Sequence, residues 1–119
     1  MALRLLGVPW DQTSVGVKGA RLAPEAVRRE LASCFPYDPV RGRAASFFRG
    51  RDLSLGEEIR DLLREVARAV EQEEHRDPEA PLLLLGGDQG VTYAALSALH
   101  HRYPDLAVVA LDGSLDLDD

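Results

Sequence analysis

Two stretches of this 119-residue chain constrain its fold more than any others. Residues 82–90 read LLLLGGDQG and residues 108–116 read VVALDGSLD. Each is a short apolar run ending in a turn rich in Gly and Asp, with a helix-like segment between them. Parallel strands need a crossover connection, and a helix is the usual one. In an open parallel sheet, ligand chemistry gathers outside the carboxyl ends of the strands. The two turns are therefore expected as neighbours on one rim. That rim carries the carboxylates Asp88, Asp112 and Asp116 and no histidine.

The rest of the chain fits the same layout. Residues 3–8 are an apolar run containing Arg4, read as a buried strand closed by Gly7 and Pro9. A long loop follows over residues 10–23. Pro24 stands where the first turn of a helix tolerates proline, and Glu25 complements the helix dipole. Behind them Val27, Leu31, Cys34 and Phe35 recur at helical spacing as one buried stripe. After the breakers Pro36, Pro39 and Gly42, residues 44–48 read as a short edge strand. Ser54 and Glu57 match a capping box ahead of Ile59, Leu62, Leu63, Val66 and Val70, which share one face of a helix running to about Glu74. Residues 82–85 do not alternate and read as a strand buried on both faces. Residues 91–102 form a helix with Leu96 and Leu99 inward, stopped by Pro104, and residues 106–111 form the last strand. This order predicts a single α/β domain over residues 1–119, a three-layer α/β/α sandwich on a small parallel sheet of about four strands.

Composition removes several function classes. Apolar content of 45% and charged content of 29% are those of a soluble globular protein. A net charge of −6, with no basic stripe, argues against nucleic acid as a partner. No apolar run is long enough to span a bilayer, so no membrane partner is expected. The one cysteine, Cys34, excludes an internal disulfide framework and fits a reducing compartment. Met1 runs directly into strand-like residues without a leader-type apolar region, and a cytoplasmic location is expected.

Three motifs carry a family resemblance. Gly7-Val8-Pro9-Trp10-Asp11, followed by Gly19-Ala20-Arg21 and Pro24-Glu25-Ala26-Val27-Arg28, resembles the opening of the ureohydrolases, the family of arginase and agmatinase, and is most similar to the agmatinase branch. Gly86-Gly87-Asp88-Gln89 resembles the family's Gly-Gly-Asp-His, and Asp112-Gly113-Ser114-Leu115-Asp116 its Asp-Ala-His-x-Asp. The resemblance runs over nearly the whole chain and covers the family's N-terminal half. It implies an arginase-like, truncated fold. In intact members it implies a two-manganese site that activates a bridging water to attack a guanidinium carbon.

Carried over residue by residue, Asp112 and Asp116 match metal-binding carboxylates. Gln89 stands where the first histidine ligand belongs and Ser114 where the second belongs, while Asp88 matches a position that is not itself a ligand. The family's last two carboxylate ligands belong to a later Ser-x-Asp-x-Asp motif that is not within residues 1–119. A glutamine carbonyl and a serine hydroxyl are poor ligands for a borderline ion. The remnant pair Asp112 and Asp116 therefore holds at most a loosely bound divalent ion, manganese in the family, and no cofactor is expected. The resemblance also implies that two strands of the C-terminal half lie between the strands ending in these two motifs. Residues 106–111 are expected to move over and pair with residues 82–85, giving strand order 2-1-3-4. Otherwise another chain fills the gap.

The other candidates have plainer readings. Gly86 and Gly87 lack the Lys-Ser/Thr ending of a phosphate loop and precede an anion-repelling Asp88, so they read as a tight strand-to-helix turn. His75, His100 and His101 read as surface residues, and Cys34 as core. The loop of residues 10–21, with Trp10, Asp11, Lys18 and Arg21, is long for a compact domain and is a candidate binding or interaction element. The resemblance also accounts for its length without a function. Asp112, Asp116, Asp118 and Asp119 form a dense negative cluster suited to a basic partner surface.

These readings combine into a non-catalytic domain kept as an interaction or regulatory module. Family analogy alone links it to arginine, polyamine or wider nitrogen metabolism. A protein partner is expected: a second copy, a chain carrying the C-terminal half, or a regulatory protein of nitrogen metabolism. Two alternatives stand beside it. One is the N-terminal half of a split metal-dependent guanidino or amidine hydrolase, and the other a small-molecule sensor that uses the old substrate pocket.

Overall fold

The computed structural model describes residues 2–34, 37–44, 46–48 and 50–113. Strand β1 (Ala2–Val8) is the centre of a three-stranded parallel sheet. On one side it pairs with β4 (Ser46–Phe48), Arg4 opposite Phe48. On the other it pairs with β5 (Leu82–Gly86), Leu5 opposite Leu83 and Val8 opposite Gly86. A separate two-residue hairpin, β2 (Tyr37–Asp38) with β3 (Arg43–Ala44), turns through Gly42 at a φ of 64°. Of the expected edge strand at residues 44–48, Ser46–Phe48 form β4, whereas Ala44 belongs to β3.

Alternation along β1 sends Leu6 and Val8 to one face. There they join Leu62, Val66, Ala69 and Val70 of α2 (Ile59–Arg76) and Val91, Ala94 and Ala95 of α3 (Gly90–Arg102) in one core cluster. Arg4 points to the same side. Its guanidinium donates to the carbonyls of Glu73 and Ala80 and lies 3.4 Å from the Glu73 carboxylate, tying β1 to the last turns of α2. The opposite face is covered by α1 (Ala23–Leu31), whose Pro24 is buried where Gly7 leaves no room for a side chain.

Several sequence expectations are corrected. Helix α2 begins at Ile59, and its capping box is Glu58 with Asp61 rather than Ser54 with Glu57. Leu53, 5% exposed, is drawn into the core and holds the preceding chain extended, so the helix starts one turn later. The stripe on α1 is not buried. Val27 is 41% exposed and Cys34, beyond the helix end, is exposed, because one short helix is all that covers this face among the described residues. Phe35 lies outside the described residues. Strand β5 is half-buried rather than buried on both faces: Leu82 and Leu84 pack against the core while Leu83 is 40% exposed. Helix α3 turns Val91, Ala94 and Ala95 inward; Leu99 is partly buried against the core and Leu96 is half-buried.

The largest correction concerns residues 106–111. They form no strand, and Val108, Val109 and Leu111 are 58%, 86% and 96% exposed. The order 2-1-3 is realised as β4-β1-β5, but the fourth strand does not join β5. A groove of about 790 Å³ lies beside β5, and its lining includes Leu82, Leu83, Leu84, Leu96 and Val109. Strand formation needs a paired edge, and this segment has none among the described residues.

Candidate functional site

The rim lies at the carboxyl ends of β1 and β5. Chain direction places the loop of residues 10–21 after β1 and the turn Gly87–Gln89 after β5, and the two are built into each other. A side chain at Gly87 would collide with the carbonyls of Trp10 and Ala20, so only glycine lets the loop sit this close. The Asp88 N–H donates to the Trp10 carbonyl at 3.1 Å. Asp88 Oδ1 accepts from the Thr13 hydroxyl at 2.6 Å and from the Gly90 N–H at 2.9 Å, while Oδ2 accepts from the Ser14 hydroxyl at 3.3 Å. Trp10, 2% exposed, donates its indole N–H to Thr13 Oγ1 at 3.0 Å.

The loop is equally tied to itself. Asp11 is 1% exposed. Its Oδ2 accepts from the Gly19 N–H at 2.7 Å and the Arg21 N–H at 3.3 Å, and the Arg21 Nε lies 3.1 Å from Oδ1. The Gly19 N–H does most to hold this carboxyl below the usual carboxylate range. Burial opposes the shift, and the backbone and guanidinium of Arg21 add to it. Lys18 closes the loop by donating to three carbonyls: Asp11 at 2.8 Å, Gln12 at 2.9 Å and Ser14 at 3.2 Å.

On the far side of the turn stand Gln89 and Asp112. Gln89 donates through Nε2 to Asp112 Oδ2 at 3.4 Å, and its Oε1 accepts from the Thr92 hydroxyl at 3.4 Å. The two motif turns are therefore neighbours, although residues 106–111 form no strand of the sheet. Ser114, Asp116, Asp118 and Asp119 lie outside the described residues. Among the described residues no three His, Cys, Asp or Glu side chains converge as a metal-binding group. Asp88 is occupied with Thr13, Ser14 and Gly90. Of the matched ligand positions among the described residues, Asp112 carries a carboxylate and Gln89 a neutral amide, a poor ligand for a borderline divalent ion. His75, His100 and His101 are exposed, away from the rim.

Residues 1–119 match the family model described as "Arginase family". The chain belongs to the arginase family. It is 28% identical over 120 residues to an agmatinase of Bacillus subtilis, covering 95% of this chain and 40% of the relative. It is 30% identical over 118 residues to a guanidinobutyrase of Pseudomonas aeruginosa, covering 96% of this chain and 37% of the relative. The crystal structure of formimidoylglutamase from Bacillus subtilis superposes with a TM-score of 0.71 at 22% identity, over 84% of this chain and 33% of that one. That likeness establishes an arginase-type α/β fold. The chain spans about two-fifths of the length of the curated relatives it matches.

Thr13 and Ser14 were not among the sequence candidates, yet they join the two halves of the rim. Hydroxyl residues beside an Asp in a Gly-rich loop do signal side-chain-to-backbone turns. Their actual acceptor, Asp88, is 75 positions away from Thr13 and invisible to local pattern.

Proposed function

We propose that this chain is a non-catalytic member of the arginase family that works as an interaction module, in the guanidino-compound branch of nitrogen metabolism to which its relatives' names point. The observation that supports this most is the state of the rim. Where the resemblance calls for an imidazole ligand, a glutamine amide reaches toward Asp112, and the neighbouring Asp88 holds the chain's own loop. A hydrolytic metal centre of this kind needs imidazole as well as anionic ligands, and positions 89 and 114 carry Gln and Ser. Asp112 remains the one placed remnant of the ligand set. Any divalent ion it holds with Asp116 is weakly bound.

The half-enzyme reading draws support from a different feature. The groove beside β5 lies open, so strands from a second polypeptide have a place to enter. The ligand set separates the two readings, since a completed enzyme needs imidazoles at positions 89 and 114 and this chain has Gln and Ser there. The test is urea release from agmatine, 4-guanidinobutyrate and arginine by the chain with excess Mn²⁺. No turnover is expected. Turnover that Asp112→Ala abolishes would overturn the proposal.

A further inference from the structure

Among the described residues, strand β5 is paired with β1 along one edge only. The other edge carries none of the usual defences: residues 82–87 contain no charge, proline or bulge, and such edges recruit a further strand. The same molecule holds a segment suited to that role. Residues 106–111, LAVVAL, are wholly apolar with the β-branched pair Val108-Val109 at their centre, comparable in length to the five residues of β5, and largely exposed without a strand partner among the described residues.

The segment is held at two points. At its root, the Leu106 N–H donates to the Tyr103 carbonyl at 3.0 Å, and the Tyr103 hydroxyl donates to Glu74 at 2.8 Å. At its tip, Gln89 donates to Asp112 at 3.4 Å. Between these points only Val109 lines the groove beside β5. The chain's own segment thus touches the groove without pairing with β5.

We propose that the groove is filled by residues 106–111 of a second copy of this chain, in a reciprocal exchange about a two-fold axis. The segment of one copy adds to β5 of its partner, and the two segments pair with each other antiparallel at the axis. The strand order across the assembly is then β4-β1-β5, partner segment, own segment, and the partner's β5-β1-β4. This arrangement satisfies both strand edges and covers Leu83, Val108, Val109 and Leu111 together. A closed two-fold exchange leaves no free edge at the junction for further growth. The inference deepens the interaction-module reading by naming its partner.

The test combines mass measurement with cross-linking on the 119-residue chain. Light scattering at micromolar concentration should give twice the chain mass. Val109→Lys should weaken the dimer at least tenfold while circular dichroism of the monomer stays unchanged. In a Cys34→Ser background, an equimolar mixture of Leu83→Cys and Val109→Cys chains should form mixed disulfide dimers. A monomer of the unmodified chain at these concentrations would overturn the proposal. A dimer indifferent to Val109→Lys, or one cross-linked only between two Leu83→Cys chains, would overturn it too. Such results leave the absence of turnover untouched, so failure here is distinct from failure of the non-catalytic reading.

Discussion

The loop of residues 10–21 and the segment of residues 106–113 both end at the same rim, and they are held there in opposite ways. The loop is polar, glycine-rich and irregular, yet Trp10 and Asp11 are buried and Lys18, Thr13 and Ser14 spend their hydrogen-bonding groups on main chain or Asp88. The segment is apolar and strand-like, yet exposed, and Gln89 donates to Asp112 at its tip at 3.4 Å. Order follows from satisfied partners rather than from propensity. A loop that brings its own donors and acceptors can be rigid, whereas a strand cannot be completed without an edge to pair with.

Substitutions can break this contrast, and the largest effect belongs to the loop. Trp10→Ala removes a buried ring from the core cluster and should cost about 3–5 kcal/mol in chemical denaturation. Asp88→Ala deletes the acceptor shared by Thr13, Ser14 and Gly90 and should cost about 2 kcal/mol. Faster proteolysis within residues 10–21 should accompany it. A smaller effect is expected from acid. Because the folded Asp11 carboxyl sits below its unfolded value of about 3.9, its stabilisation is complete above that pH and is lost as the pH falls through the lowered folded value. The difference in melting temperature between the chain and Asp11→Asn should therefore be constant near neutrality and shrink below about pH 4. The smallest effect belongs to the segment: Leu111→Ser should change monomer stability by less than about 0.5 kcal/mol. A loss comparable to that of Asp88→Ala would mean that Leu111 is packed in solution.

The sequence made the α/β order legible because its signals were local. Apolar runs stopped by Gly, the proline opening α1 and the period of α2 each act within one element. The family motifs then fixed which turns share a rim, and Gln89 and Asp112 are found there together. Burial was read correctly for β1 and α2 but not where the covering neighbour is small or missing among the described residues. Val27, Cys34, Leu83 and Val109 have apolar or core-type side chains, and their exposure follows from neighbours that no local pattern specifies. The clasp of Thr13 and Ser14 on Asp88 was illegible for the same reason, since it joins residues far apart in the chain.

A locked loop and an unlocked segment meet at this rim beside an open strand edge. Hydrogen exchange, followed peptide by peptide at a protein concentration low enough to keep the chain monomeric, measures that difference directly. Amides of Gly19, Arg21, Asp88 and Gly90 should exchange slowly with those of β5, while amides of residues 107–112 exchange close to the rate of an unstructured peptide. If residues 107–112 were instead protected as strongly as Leu82–Gly86 in the monomer, the segment would already be paired with β5. The groove would then be closed, and the chain would have no open edge to offer a partner.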